Sequence, residues 1–151
     1  MDSQPEQLEK PVEPDQPEKP KQPKLPFSTF DLQKPLADAI KKMGFEYCTP
    51  IQAQSLVHTL AGHDVTGKAQ TGTGKTAAFL ITIINDLLSN PIEEERYIAE
   101  PRALVVAPTR ELAIQIASDA QLLTHDCGMS VVTLVGGEDY QKQNRALDAK
   151  P

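Results

Sequence analysis

The stretch Ala69-Gln70-Thr71-Gly72-Thr73-Gly74-Lys75-Thr76 places a glycine-bearing loop, a lysine and a threonine where a strand is predicted to become a helix. This is the pattern of a P-loop, in which backbone N–H groups surround phosphate oxygens, the lysine neutralises their charge and the threonine hydroxyl binds Mg²⁺. The general pattern begins with glycine where this chain has Ala69, so the loop geometry depends on Gly72 and Gly74. We therefore predict a nucleoside triphosphate site over residues 69–76, with Lys75 and Thr76 as catalytic residues and Thr76 as the magnesium ligand.

The residues on either side of the loop support this interpretation. Residues 64–69 form a short predicted strand before it, and apolar residues recur at helical spacing over residues 79–88 after it. The N-terminus of that helix would face the phosphates and add roughly half a positive charge to that of Lys75. The alternative is a glycine-rich surface turn beside an exposed lysine, which would not require Gly74-Lys75-Thr76 to open an apolar helix.

Composition divides the chain into two parts. Seven of its thirteen prolines lie in residues 1–26, and this tail is predicted to be disordered because it lacks the apolar residues that would offset the entropy of ordering. Residues 27–151 are predicted to form one domain. They carry eleven Lys and Arg against fifteen Asp and Glu, so any nucleic-acid site must be local rather than a broad basic surface.

No targeting or metal-binding pattern stands out in the sequence. There is no run of about eighteen apolar residues and no signal-peptide pattern, which predicts a cytoplasmic protein without a membrane partner. Cys48 and Cys127 stand apart without metal-ligand spacing, and both are predicted to be small buried hydrophobic residues.

Helices and strands are predicted to alternate along the domain. One helix is expected after Asp31 as its cap and a second after Thr49-Pro50, both ahead of the loop. The apolar run 103–107 is expected to be a strand buried on both faces, and residues 130–135 are expected to be another strand, each followed by a helix. This order predicts an α/β fold, a parallel sheet flanked by helices with ligand sites at the carboxyl ends of its strands.

Two further segments fall at those strand ends. Pro108-Thr109-Arg110 would offer helix N–H groups and a guanidinium to an anion, and Gly136-Gly137 would let a phosphate backbone approach N–H groups closely. The alternatives are a helix cap with a solvated Arg110–Glu111 pair for the first segment and a simple strand-to-helix turn for the second.

Gln52 is a candidate for base recognition. It lies in the first turns after Thr49-Pro50, and its amide both donates and accepts hydrogen bonds, which matches the N6 donor and N7 acceptor of adenine. The alternative is an ordinary surface glutamine.

Together these segments resemble the N-terminal lobe of DEAD-box ATP-dependent RNA helicases, and the resemblance covers essentially all of residues 27–151. Phe27 with residues 44–52 resembles the Q motif of that family, and residues 69–76 resemble its motif I, in which alanine commonly stands first. Residues 108–113 resemble motif Ia, and Gly136-Gly137 resembles the GG element.

This resemblance implies an incomplete RecA-like P-loop domain that binds ATP and Mg²⁺ and acts on RNA. Phe27 and Gln52 would contact the adenine, and residues 69–76 would hold the phosphates. The positions that would contact the RNA backbone are Pro108, Thr109, Arg110, Gly136 and Gly137.

Residues 61–65, 101–104 and 136–143 look most like helicases of the bacterial RhlB type, which implies mRNA degradation with a degradosome ribonuclease as partner. The chain contains no Asp-Glu-Ala-Asp segment, no Ser-Ala-Thr segment and no second lobe. It is therefore expected to be an N-terminal fragment that holds nucleotide weakly and is inactive alone. Two other interpretations are a truncated non-catalytic nucleotide- or RNA-binding module and a P-loop small-molecule kinase.

Overall fold

The computed structural model describes residues 24–92 and 100–148. Within these residues a 3₁₀ turn at Phe27–Thr29 is followed by the helices α1 (Lys34–Lys42), α2 (Pro50–Thr59), α3 (Lys75–Ser89), α4 (Arg110–Thr124) and α5 (Tyr140–Leu147). None of these helices has the length and apolar character needed to cross a membrane. The predicted disordered tail, apart from residues 24–26, lies outside the described residues.

A contact with α3 fixes the start of α1. The prediction that Asp31 caps this helix is wrong. Gln33 precedes the helix, and its backbone N–H donates to Asn85 Oδ1 at 2.8 Å. The Gln33 side chain also donates to Ser89 Oγ at 3.2 Å. The helix thus begins where its first turn can bond to the far end of α3.

The start of α2 agrees with its sequence signal. Thr49 Oγ1 accepts from the backbone N–H of Gln52 at 3.5 Å, and Gln52 Oε1 accepts from the backbone N–H of Thr49 at 2.9 Å. This reciprocal pair is a capping box, which satisfies two donors that the helix itself leaves without partners. It fixes the position of the Gln52 side chain relative to the first turn of α2.

Helices α1 to α4 share one hydrophobic core with α3 at its centre, since α3 contacts each of the other three. Burial of one large aliphatic side chain in this core contributes about 1.5–3 kcal/mol. Because α2 and α3 pack against each other, the loop before α3 is held near the start of α2. The buried helix residues that form this core cluster are Leu36, Ile40, Leu56, Leu80, Ile81, Ile84, Ile116, Ala120 and Leu123.

The predicted parallel sheet is not confirmed in the described residues. The segments 64–69, 103–107 and 130–135 form no strand there, and the β-pairing found in that part of the chain is one antiparallel bridge between Pro26 and Tyr47. Residues 103–107 are not buried as predicted, because Leu104 is 80% and Val106 83% exposed. A strand requires a backbone partner about 4.8 Å away, and apolar composition does not supply one.

Candidate functional site

The predicted phosphate loop forms a tight turn that leads directly into α3. Gly72 and Gly74 adopt left-handed backbone angles, with φ of +81° and +90°, which glycine accepts without a steric penalty. Within the loop the Thr73 hydroxyl donates to the carbonyl of Gln70 at 2.7 Å. Because position 69 is alanine, the left-handed backbone angles of this turn lie at Gly72 and Gly74, the two positions on which the sequence predicted that the loop depends.

The N-terminus of α3 has no side-chain cap. Gly74 is its N-cap residue, whereas α2, α4 and α5 are capped by the side chains of Thr49, Thr109 and Asp139. The first N–H groups of an α-helix have no partner within the helix, and together with the helix dipole they attract anions. The start of α3 thus leaves donors for an external acceptor at the place where the sequence predicts phosphate.

Lys75, the first residue of α3, folds back over its own loop. Its Nζ donates to the carbonyl of Ala69 at 2.5 Å and to that of Gln70 at 2.6 Å. Thr76 follows it in the first turn, and both side chains are partly exposed. The ammonium group is therefore held by the loop that precedes the helix, within reach of its N-terminus.

Gln52 is buried, with 5% of its surface exposed, and it links α2 to the phosphate loop. Its Nε2 donates to the carbonyl of Gly74 at 3.1 Å, while its Oε1 belongs to the capping box of α2. These partners fix the orientation of the amide, since a carbonyl needs a donor and an N–H needs an acceptor. The surface-glutamine alternative is wrong, and the link to Gly74 was not predictable from local pattern.

Gly74 is packed tightly against this amide. A β-carbon added to Gly74 would overlap Gln52 Nε2 and would lie 3.1 Å from both Gln52 Cδ and Thr49 Oγ1. A β-carbon added to Gly72 would meet nothing within 4 Å. Glycine at position 74 is therefore required by its neighbours as well as by its backbone angle.

Phe27 lies on the side of the core next to the start of α2. Its side chain is 5% exposed and packs in the shared core, and its backbone N–H donates to the carbonyl of Glu46 at 3.1 Å. The ring is thus placed as a core residue, and the backbone pairing brings the 3₁₀ turn next to residues 44–52.

Arg110 joins the two segments predicted to contact RNA. Its Nη1 donates to the carbonyl of Gly136 at 3.2 Å, and its Nη2 forms an ion pair with Glu138 Oε1. Arg110 thus pairs with Glu138, 28 residues away, and not with Glu111, the partner expected if this segment were only a helix cap. Gly137 has φ of +81°, and a β-carbon there would lie 3.5 Å from Arg110 Nη1.

Thr109 caps α4 as the alternative interpretation of its segment predicted. Its Oγ1 accepts from the backbone N–H of Leu112 at 3.3 Å, and Pro108 beside it is exposed. The cap leaves the other N–H groups of the first turn without an intrahelical partner. Pro108, Thr109, Arg110, Gly136 and Gly137 therefore lie in one surface region around the Arg110 guanidinium.

Three further side chains, to which the sequence pattern assigned no role, form hydrogen bonds with the backbone near these segments or at the end of α3. The Gln143 amide accepts from the N–H of Val135 at 2.7 Å and donates to its carbonyl at 3.1 Å, as a strand partner would. Asp139 Oδ1 accepts from the N–H groups of Gln141 and Lys142 and caps α5. Arg102 donates to the last carbonyls of α3, those of Leu87 and Asn90. The one sequence signal for these contacts is that Gln143 lies four residues after Asp139, the residue that caps α5.

No cluster of three or more His, Cys, Asp or Glu side chains that could hold a metal occurs in the part of the chain that the structure describes. Burial raises the pKa of the Cys48 and Cys127 thiols above their ordinary value. Both thiols therefore stay protonated at neutral pH, which makes them poor nucleophiles and poor metal ligands.

The chain belongs to a known protein family. Residues 49–151 match the model of the DEAD/DEAH box helicase family. Among its relatives, the chain is 58% identical over 124 residues to the ATP-dependent RNA helicase RhlB of Pseudomonas aeruginosa (strain UCBPP-PA14). It is 53% identical over 122 residues to RhlB of Shewanella sediminis (strain HAW-EB3). The resemblance to RhlB proposed from the sequence is confirmed.

These matches cover most of this chain and a smaller part of each relative. They span 82% of the chain and 31% of the Pseudomonas protein, and 81% of the chain and 28% of the Shewanella protein. The chain thus spans about a third of the length of its relatives. Membership of this family disfavours the small-molecule kinase interpretation.

Solved structures of the family share the fold of the chain. The RNA helicase Prp28 from Chaetomium thermophilum, bound to ADP, superimposes with a TM-score of 0.68 at 36% identity, covering 82% of this chain and 30% of Prp28. A DEAD box protein from Methanococcus jannaschii superimposes with a TM-score of 0.65 at 31% identity, covering 82% of this chain and 32% of that protein. The neighbours of the fold are thus RecA-like DEAD-box helicases, as the sequence predicted.

Proposed function

We propose that this chain is the ATP- and RNA-binding lobe of an ATP-dependent RNA helicase. The observation that carries the proposal is the junction at Gly74, which is the N-cap residue of the uncapped helix α3, accepts from the amide of Gln52 and directly precedes Lys75. Phosphate and base recognition would thus be coupled through one residue. The proposal is supported by family membership and by the similarity to the helicases named above.

The loop of residues 69–76 would hold the triphosphate of ATP. Its fit rests on the two left-handed glycines and on the first-turn N–H groups of α3, which no side chain caps. Thr76 would contribute its hydroxyl to Mg²⁺, an ion that is commonly held by one or two protein groups together with waters and substrate phosphates. Bound Mg²⁺ would neutralise charge on the phosphates.

Lys75 would change partners when nucleotide binds. In the structure its ammonium donates to the carbonyls of Ala69 and Gln70, which are neutral acceptors. A phosphate oxygen is charged, and charge-assisted hydrogen bonds are roughly twice as strong as neutral ones. The lysine is therefore held close to the loop by weaker bonds that a phosphate can replace.

Gln52 would read the adenine with the hydrogen-bonding capacity that remains to it. A primary amide has two N–H donors and an oxygen with two lone pairs, and the structure uses one of each. The second N–H and the second lone pair match N7 and N6 of adenine. Phe27, on the neighbouring 3₁₀ turn, would support this side of the site.

The surface around Arg110 would hold the RNA backbone. The guanidinium would bind a phosphate, and the glycines at 136 and 137 would let the backbone approach their N–H groups. Thr109 and Pro108 would position the first turn of α4 against the same strand. Because the domain is acidic overall, this local set would supply most of the attraction for RNA.

In the full-length protein, hydrolysis and local unwinding of RNA duplexes would require a second lobe that closes on this one. We propose that this protein acts in the cytoplasm, in mRNA degradation with a degradosome ribonuclease; the similarity of the chain to RhlB supports this proposal. Copurification of a ribonuclease with the full-length protein tests the partner. RNA-stimulated ATP hydrolysis by the full-length protein tests the helicase function, and hydrolysis that RNA does not stimulate would contradict it.

Calorimetric titration of this chain with Mg·ATP tests the nucleotide site directly. Lys75→Ala is expected to abolish measurable binding, because the phosphate charge then lacks its only positively charged partner in residues 69–76. Lys68→Ala is the matched control, since it removes the same charge from an exposed position just before the loop. Equal affinity of the Lys75→Ala and Lys68→Ala variants would refute the role of Lys75.

The same titration tests the adenine assignment. Gln52→Ala is expected to lower the ratio of ATP to GTP affinity, because GTP presents an acceptor where adenine presents its N6 donor. The ratio is the informative quantity, since loss of the capping box weakens binding of both nucleotides alike. An unchanged ratio would remove Gln52 from base recognition.

A further inference from the structure

The Glu138 carboxylate pairs with one of the two terminal nitrogens of the Arg110 guanidinium. Nη2 of Arg110 pairs with Glu138 Oε1, while Nη1 donates to the carbonyl of Gly136 at 3.2 Å. Both side chains are accessible, with 43% of Arg110 and 46% of Glu138 exposed. An incoming phosphate must therefore compete for Nη2 with an anion that the chain itself provides.

We propose that Glu138 is an affinity-setting residue that competes with RNA phosphate for Arg110. This inference rests on the proposed RNA site and adds to it a carboxylate that weakens binding. A guanidinium binds a phosphate through two parallel N–H groups, so a carboxylate on one of them blocks the bidentate arrangement. RNA binding at this site then includes the release of Glu138 into solvent.

The neighbouring acidic residues have other positions or other partners. Asp139 accepts from two N–H groups at the start of α5, and loss of its charge would disturb that helix. Glu111 lies in the first turn of α4 and is exposed. Of these carboxylates, Glu138 is the one that the structure pairs with Arg110, so its substitution by an uncharged isostere changes the competition without removing a helix cap.

Fluorescence anisotropy with a labelled single-stranded oligouridylate tests the proposal on the full 151-residue chain at low salt. Glu138→Gln is expected to lower the Kd by about two- to fivefold, the range set by the coupling energies of exposed ion pairs. The gain should shrink as salt increases, because exposed charges are screened. A merely structural role for Glu138 would produce weaker binding, which is the opposite sign.

Two further variants identify the cause of any change. Glu111→Gln removes the same charge from the same surface but leaves the Arg110–Glu138 pair intact, so it should lower the Kd by less than Glu138→Gln. In an Arg110→Gln background, Glu138→Gln should lower the Kd no more than Glu111→Gln does, because no guanidinium remains to be released and only the general effect of one lost charge is left.

The outcomes separate this inference from the proposed function. If Arg110→Gln weakens RNA binding while Glu138→Gln either does not change it or also weakens it, competition by Glu138 is refuted and the RNA site stands. The inference is also refuted if Glu111→Gln tightens binding as much as Glu138→Gln does. If the unmodified chain binds no RNA, or binds it independently of Arg110, the RNA site and the inference are both refuted.

Discussion

Substitution of Gly74 by alanine tests whether the loop of residues 69–76 and the buried Gln52 side chain form one packed unit. The added methyl group would overlap Nε2 of the buried Gln52 and would press against Thr49 Oγ1 at 3.1 Å. The amide cannot keep both its capping-box bond and its bond to the Gly74 carbonyl while it moves away. Gly72→Ala is the matched control, because it changes the other left-handed glycine of the loop without any such contact.

The two variants should differ in stability by an amount that can be worked from these contacts. A left-handed backbone angle costs alanine about 1–2 kcal/mol, which both variants lose. Gly74→Ala additionally loses a hydrogen bond of about 0.5–1.5 kcal/mol and forces the Gln52 side chain off its preferred rotamer at a similar cost. We therefore expect Gly74→Ala to lower the free energy of unfolding by about 1–3 kcal/mol more than Gly72→Ala does.

Urea unfolding followed by circular dichroism at 222 nm measures this difference. A Gln52→Ala background provides the decisive comparison, because it removes the atoms that the new methyl group overlaps. In that background the cost of Gly74→Ala should fall toward the backbone term of about 1–2 kcal/mol, since of the close contacts only that with Thr49 Oγ1 remains. Equal destabilisation by Gly72→Ala and Gly74→Ala, or an undiminished cost in the Gln52→Ala background, would show that Gln52 and Gly74 are not packed as described.

Three further predictions concern the helix ends. Arg102→Ala should lower the free energy of unfolding by about 1–3 kcal/mol, because the last carbonyls of α3 lose two hydrogen bonds. If Arg102→Ala destabilises the chain no more than Arg102→Lys does, this role of the two hydrogen bonds is contradicted. Thr109→Ala should cost about 1 kcal/mol in the same assay and Thr109→Ser much less, since serine keeps the cap; equal losses would argue against capping. Hydrogen bonds from Lys42 and then from His125 hold the pKa of Asp126 below its ordinary value. Any stability from this pair is present above the unfolded pKa of about 4 and is lost as pH falls through the lower folded pKa. Lys42→Met should raise the Asp126 midpoint in a carboxyl NMR titration, and an unmoved midpoint would refute the pairing.

The helices and their boundaries were largely predictable because their signals are local. Thr49-Pro50 predicts the start of α2, and Gly74 followed by Lys75 predicts the start of α3, since capping and turn rules act over three or four residues. The start of α1 was mispredicted at Asp31 because the Gln33 backbone N–H donates to Asn85, 52 residues away, and this bond sets the start at Gln33 instead. Strand predictions failed for a related reason, because residues 103–107 carry strand composition without a backbone partner in the described chain.

The sequence by itself determined the family and the candidate residues, including those of the predicted phosphate loop, because residue type and spacing carry those signals. Only the tertiary structure decided which residues these candidates contact. The bond from Gln52 to Gly74 spans 22 residues, and the pair of Arg110 with Glu138 spans 28. Such contacts depend on how α2, α3 and α4 pack around one core, and packing of distant segments leaves no pattern at either position alone.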